Sequence, residues 1–214
     1  MKHLAIIADG NRRWATGRDL PPGSGHVSGL ATIERTCEWA IDRGIKYLSV
    51  FCFSTENWNR EEAEIDNLMG IARVYFNDAA EWYINRGIRV IFSGSRDRMP
   101  ADILASMDTL KDLTSDGENL TLVIYVNHGG RAAIANASKF GHTEERLNDI
   151  LSEGRPDPDV IFRTGGRHRL SNFMLWQAAY AELYFSDTLF PDLGRAELDE
   201  LYRSYKSITK NYGR

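Results

Sequence analysis

Short runs of consecutive apolar residues recur along the chain, alternating with longer stretches in which apolar residues return every three or four positions. The runs predict six strands, over residues 4–8, 47–53, 88–93, 120–127, 160–163 and 183–185. Tyr47-Leu48-Ser49-Val50-Phe51-Cys52-Phe53 is too apolar to keep a solvent face, which is the pattern of a central strand covered on both sides. Stretches 29–43 and 61–86 have helical period, each followed by a glycine, Gly44 and Gly87, where a left-handed C-terminal cap belongs. Residues 139–158 are polar and carry Gly141, Gly154 and Pro156-Asp157-Pro158, predicting a short helix plus loop or a mobile connection. The alternation predicts an α/β fold with a central, mostly parallel six-stranded sheet flanked by helices. With no repeat, linker or composition break, residues 1–214 read as one domain.

Composition narrows the function classes. At 214 residues, 43% hydrophobic and 26% charged, the chain can build one sizeable core, which excludes disorder, collagen-like repeats and a small disulfide scaffold. Its 26 Lys+Arg against 30 Asp+Glu give a net charge of -4, so no general attraction to nucleic acid or an anionic membrane is expected. An anion site must then be a local cluster. Cys37 and Cys52 both lie in apolar stretches and predict two buried thiols in a reducing compartment, the cytoplasm. Met1-Lys2-His3 leads straight into the first strand, too brief for a signal peptide, and no apolar run nears the ~20 residues of a membrane-spanning helix.

In a parallel sheet, ligands bind beyond the carboxyl ends of the strands, so the strings after each strand are where chemistry is expected. Four of them are polar and punctuated by glycine. They are Asp9-Gly10-Asn11-Arg12-Arg13-Trp14, followed at a distance by Gly25-His26; Ser54-Thr55-Glu56-Asn57-Trp58-Asn59-Arg60; Asn127-His128-Gly129-Gly130-Arg131; and Arg163-Thr164-Gly165-Gly166-Arg167-His168-Arg169-Leu170-Ser171-Asn172. Glycines that admit close approach, helix starts with free N–H groups and forked guanidiniums together suit a phosphate or diphosphate. Arg12, Arg13, Arg60, Arg163 and Arg169 on one edge would repel one another unless a multiply charged anion sat among them. Asp9 is a hard-oxygen ligand that suits Mg²⁺ beside phosphate; its alternative is to cap the following helix. His26 alone reads more readily as a hydrogen-bonded structural group than as a catalyst, and the string 127–131 alone marks an exposed turn at least as well as it marks a site. No Gly-x-Ser-x-Gly elbow, P-loop or cysteine-nucleophile context is present, so hydrolase and NTPase readings lose support.

Taken together and in order, the strings 9–14, 25–26, 53–60, 163–166 and 169–172, with Trp176-Gln177-Ala178-Ala179-Tyr180-Ala181-Glu182-Leu183-Tyr184, closely resemble the signatures of the cis-prenyltransferase, or undecaprenyl diphosphate synthase, family. The resemblance implies a dimeric α/β enzyme, here read as a homodimer, that elongates an allylic diphosphate with isopentenyl diphosphate in Z geometry and requires Mg²⁺. It implies that Asp9 is the essential aspartate, that Gly10, Asn11, Arg12, Arg13, Trp14 and His26 hold the allylic diphosphate, and that Arg163, Arg169, Leu170 and Ser171 hold isopentenyl diphosphate. Glu182 resembles a second metal carboxylate. Asn57 resembles the residue that helps deprotonate the coupled intermediate, with Ser54, Thr55, Glu56, Trp58 and Arg60 supporting substrate and loop. The growing chain needs an apolar trench, for which Leu30, Ile33, Trp39, Leu68, Met69, Ile71, Val74, Tyr75 and Phe76 on the two predicted helices are candidates, or else ordinary core.

Three positions depart from the family pattern: Arg167 where a glutamate is usual, Pro22 where an arginine is usual, and Asn211-Tyr212-Gly213 where an Arg-x-Gly is expected. A two-unit change of charge at Arg167 beside a diphosphate site alters its electrostatics by kcal/mol. The departures suit a short- or medium-chain synthase, or alternatively an irregular, head-to-middle or cyclising, coupling of allylic diphosphates in secondary metabolism; a non-catalytic partner subunit is the third reading.

Overall fold

A computed structural model describes residues 1–208 of the chain. In chain order the elements are β1 (His3–Ile7), α1 (Asn11–Thr16), α2 (Pro22–Asp42), β2 (Tyr47–Ser54), a 3-10 turn (Thr55–Asn59), α3 (Glu62–Asp78), α4 (Ala80–Ile84), β3 (Ile88–Ser93) and α5 (Ala101–Leu113). There follow β4 (Leu120–His128), α6 (Gly130–Ala137), α7 (Glu144–Ser152), β5 (Val160–Arg163), β6 (Glu182–Phe185) and α8 (Arg195–Lys206).

The strands form one sheet in the order β3-β4-β2-β1-β5-β6, and every neighbouring pair is parallel, so the expected mostly parallel sheet is wholly so. From β1 the chain moves out to β2 and on to edge strand β3, returns to insert β4 between those two, then crosses to the other side of β1 to add β5 and β6. That reversal puts a topological switch point between β1 and β5, the position beyond the strand ends where parallel sheets bind ligands in a crevice.

Side chains that alternate along the strands part into two layers. Leu4, Ile6, Leu48, Val50, Ile88, Val90, Leu122, Ile124, Val160 and Phe162 face the larger core, packed with Ile33, Cys37 and Trp39 of α2, Met69 and Phe76 of α3, Ile103 and Leu110 of α5 and Leu198 of α8. Ala5, Ile7, Phe51, Val123, Tyr125 and Ile161 face the other way, onto Phe173 and Met174, with Phe51 and Phe173 stacked at 4.6 Å and 13°. Each such aromatic removes enough apolar surface to contribute about 1.5–3 kcal/mol.

Several expectations are corrected. α2 begins at Pro22, well before residue 29, because a proline at the first helical position is preorganised for the turn. Its glycines serve packing rather than a loop: a Cβ on Gly25 would lie 1.9 Å from the Asn11 carbonyl oxygen, and one on Gly29 would lie 2.6 Å from Asn11 Oδ1. The predicted helix over 61–86 is two, α3 and α4, divided at Ala79. Gly44 and Gly87 do adopt left-handed φ, +69° and +63°. Within 139–158 a short helix, α7, does form, capped by Thr143 Oγ1 accepting from the Arg146 N–H. Cys37 is buried, but Cys52 is exposed, beside a register slip of β2 on β4 between Phe51 and Phe53.

Candidate active site

The β1/β5 crevice is held together by Asp9. Thr164, directly after β5, clamps its backbone: the Asp9 N–H donates to Thr164 Oγ1 at 3.1 Å, and that hydroxyl lies 2.8 Å from the Asp9 carbonyl. The Asp9 carboxylate takes Arg163 Nη2 on Oδ2 at 2.9 Å and Arg13 Nη2 on Oδ1 at 3.2 Å, while Arg13 also donates to the Gly165 carbonyl at 2.7 Å. Asp9 therefore does not cap α1; Gly10, with φ +113°, occupies the cap, where a Cβ would lie 2.9 Å from the Leu189 side chain. Arg163 is 4% exposed, and its Nη1 donates to the Arg169 carbonyl at 2.5 Å and to Ser171 Oγ at 2.6 Å. Its Nε is buried without a partner, so the cluster holds donor capacity that its own carboxylates leave unused.

A second cluster lies alongside. Arg12 from α1 and Arg60 from the loop after β2 both bind Glu64 of α3, at 3.2 and 2.9 Å. His26 sits in the field of all three; burial above all, and Arg60 and Arg12 with it, lower its pKa, so the imidazole is neutral at pH 7. The expectation that only a bound anion could relieve the arginines is thus corrected in part: Asp9 and Glu64 each hold two. Arg169 is exposed at the rim.

The string after β2 folds into a 3-10 turn with a capping box, in which Asn57 Oδ1 accepts the Ser54 N–H at 2.9 Å. Trp58 stacks edge-on against Phe53 at 5.0 Å and donates from Nε1 to Asn127 Oδ1 at 2.8 Å, with the Arg98 guanidinium 4.6 Å above its ring. Burial would raise the Glu56 carboxyl, but hydrogen bonds from Asn172 and from its own turn hold it below the usual range. Trp14 Nε1 donates to Asp192 Oδ1 at 2.6 Å, and Arg18 stacks 4.4 Å over the Trp14 ring, tying α1 to the loop after β6.

Below the arginines an apolar cavity of about 110 Å³ runs between the sheet and helices α2 and α3. Leu30, Ile33, Leu68, Met69, Ile71, Tyr75 and Phe76 line it as expected, with Asn11 and His26. Trp39 does not: it is 1% exposed in the core, bonded to Asp199 at 2.7 Å, and Val74 faces outward at 62% exposure. Cys52 opens into this cavity rather than to bulk solvent, and its depth pushes the thiol up to about 12. A larger cleft of about 650 Å³, lined by Thr55, Trp58, Arg98 and α6, contains neither Asp9 nor the arginine clusters, so size alone does not mark the site.

The same fold recurs in known proteins. The family model described as undecaprenyl diphosphate synthase matches residues 7–213. An isoprenyl transferase of Fusobacterium nucleatum is 38% identical over 99% of this chain and 95% of its own, and one of Treponema denticola is 40% identical over 100% and 97%. Lavandulyl diphosphate synthase from Lavandula x intermedia, crystallised with dimethylallyl diphosphate, superposes with a TM-score of 0.94 at 28% identity, covering 100% of this chain and 98% of that one. A probable undecaprenyl diphosphate synthase from Campylobacter jejuni gives 0.87 at 30% identity, covering 100% and 99%. The chain belongs to the cis-prenyltransferase family. It is a prenyltransferase, as the motifs imply.

Within this prenyltransferase Asp9, Arg13, Arg163 and Ser171 meet in one cluster and Arg12 and Arg60 in another on Glu64, whereas Thr55 and Trp58 line the larger cleft and Glu182 lies apart. Glu182 begins β6, its N–H bonded to the Asp159 carbonyl at 3.0 Å, and it pairs in register with Val160, itself opposite Leu4. Asp9 lies at the other end of the sheet, five residues beyond Leu4, which is about 17 Å along the strands. Glu182 and Asp9 of one chain therefore cannot share a metal ion, and a motif's order along the sequence gives no sign of which strand end it occupies. Among the described residues no group of three or more His, Cys, Asp or Glu could hold a metal. The donor set fits Mg²⁺ held by the single carboxylate of Asp9 together with diphosphate oxygens, the mode that this ion favours beside phosphates. Thr164, Glu64, Asn127, Asn172 and Asp192 are site-building residues that motif reading passed over, although Thr164, Asn127 and Asn172 stand inside the quoted strings. The Asn211-Tyr212-Gly213 departure lies outside the described residues.

Proposed function

We propose that this chain is a Mg²⁺-dependent Z-prenyl diphosphate synthase that condenses isopentenyl diphosphate with an allylic diphosphate to a short- or medium-chain product. One observation carries the reading: the Asp9–Arg163–Arg13 cluster stands at the β1/β5 crevice, with Arg12, Arg60 and neutral His26 beside the mouth of an apolar cavity. A diphosphate head would bind among the arginines while its hydrocarbon tail enters between α2 and α3. Mg²⁺, when bound, would supply Lewis-acid stabilisation of the departing diphosphate. Arg12, Arg13 and Arg60 neutralise negative charge where it develops, which is electrostatic stabilisation of the transition state. Arg163, Arg169 and Ser171 hold the second diphosphate. Proton removal next to an allylic cation needs only a weak base, so the Asn57 carboxamide, held by the Ser54 N–H, suits the task.

A volume of about 110 Å³ is small beside the ~300–1,000 Å³ of usual ligand pockets, which supports a short product. Edge strand β6, with Leu183 and neighbouring Tyr180 exposed at 45% and 79%, supports pairing of two copies. A cytoplasmic setting is consistent with two free cysteines and with the lack, among the described residues, of a helix long and apolar enough to cross a membrane. A second reading, coupling of two allylic diphosphates, is favoured by exposed Arg167 and by the likeness to a synthase crystallised with dimethylallyl diphosphate. Asp9→Ala tests the first reading: turnover with isopentenyl diphosphate and an allylic primer is expected to fall by roughly 10²–10³-fold or more. Turnover within a few-fold of wild type would remove Asp9 from the chemistry.

A further inference from the structure

We propose that Asn172 is a positioning residue for the isopentenyl diphosphate half of the site, the joint that registers three strand-end loops against one another. The proposal rests on the function proposed above. Asn172 follows Ser171, whose hydroxyl accepts Arg163 Nη1 at 2.6 Å. Its carboxamide is used at both ends: Nδ2 donates to Glu56 Oε1 at 2.7 Å, in the loop after β2, and Oδ1 accepts the Arg131 N–H at 2.8 Å, at the start of α6 after β4. Its carbonyl also takes the Gly130 N–H at 2.6 Å.

The backbone there is fixed at a cost. Ser171, Asn172 and Met174 all have left-handed φ, +49°, +64° and +43°, a region that non-glycine residues enter rarely and asparagine best. The fit is tight as well, since a Cβ on Gly129 would lie 2.5 Å from Thr55 Oγ1 and 2.9 Å from Asn172 Nδ2. Only a carboxamide offers one donor and one acceptor in this shape. An aspartate would keep the bond to Arg131 but set two carboxylates 2.7 Å apart at Glu56. The Asn172 side chain bonds to Glu56 and Arg131 and not to Asp9 or the site arginines; it acts through Ser171, and thereby on the setting of Arg163.

The test is steady-state kinetics on the full chain. Asn172→Asp is expected to raise the KM for isopentenyl diphosphate about tenfold, a 1.4 kcal/mol effect, with kcat and the KM for the allylic diphosphate changed less than about twofold. Adding Glu56→Gln restores a donor opposite the new carboxylate and is expected to bring that KM back within about threefold of wild type, a rescue confined to one substrate. Asn172→Gly keeps the left-handed backbone and loses both side-chain bonds; it is expected to raise the same KM and serves if the aspartate variant does not fold, as circular dichroism would reveal. Unchanged KM in the glycine and aspartate variants, equal rises for both substrates, or no rescue would overturn the positioning role. A wild-type protein without turnover in the same assay would instead overturn the proposed function, and this inference with it.

Discussion

Asp9 and Arg163 show how a residue's role is set by its partners. Asp9 stands out in the sequence because it ends the first strand before Gly-Asn-Arg-Arg, and Arg163 because it ends the fifth; their 2.9 Å contact follows once β1 and β5 are neighbours. Glu64, Asp192 and Asn172 leave no such mark: apart from Arg60, four residues before Glu64, their partners lie far off in sequence and meet only in the fold. A quieter residue contributes to acid stability. His3, at the start of β1, is 1% exposed between the Pro156 carbonyl and Ser49 Oγ, and burial lowers its pKa from 6.5 to about 4; His128 is likewise lowered to about 4 by burial. Between pH 6.5 and 4 the unfolded chain binds the proton and the folded chain does not. Stability is therefore intact above pH 6.5 and lost as pH falls toward 4, by about 3 kcal/mol per histidine. Denaturant unfolding at pH 7 and pH 4 should show His3→Gln gaining about 3 kcal/mol relative to wild type at the lower pH; an equal loss in both proteins would mean that His3 is not the group titrating.

Among elements, the strands were the most legible, because a short apolar run marks each of the six, the central ones and the edge strands β3 and β6 alike. The bulge at Cys52 was not, since nothing in a uniformly apolar run marks where the register slips. Helix starts were less legible still: Gly23-Ser24-Gly25-His26 reads as loop, yet it is the first turn of α2, with Gly25 pressed against α1. Gly25→Ala should cost about 1–3 kcal/mol by overpacking, lower the melting temperature by about 2–4 °C per kcal/mol, and raise the KM for the allylic diphosphate, because α1 carries Arg12 and Arg13. A variant with wild-type KM would detach the α1–α2 contact from diphosphate binding. α5, α6 and α8 went unpredicted, α5 even though Ile103, Met107 and Leu110 keep helical spacing. On α3, Tyr75 closes the apolar cavity and is pinned by hydrogen bonds to Tyr83 at 2.6 Å and Glu34 at 3.1 Å. Tyr75→Ala should enlarge the cavity and lengthen the main product by at least one five-carbon unit, read by mass spectrometry; an unchanged product would place the limiting wall elsewhere.

Across the whole molecule, a net charge of -4 coexists with a positive crevice because the strand order brings four loops from distant parts of the chain to one edge. In the proposed reaction the β1/β5 reversal would take the diphosphate and the α2–α3 side of the same sheet the hydrocarbon, so that head and tail would be sorted by the two sides of one strand end. The strings placed the arginines on one edge, and nothing in sequence order shows that Glu182 starts its strand at the other end of the sheet from Asp9 of the same chain. The central claim is condensation of a five-carbon diphosphate onto an allylic one, and mass spectrometry of products tests it most directly. Purified protein with Mg²⁺ and dimethylallyl, geranyl or farnesyl diphosphate should give a longer prenyl diphosphate only when isopentenyl diphosphate is added. A product from an allylic diphosphate alone, with none added by isopentenyl diphosphate, would contradict it.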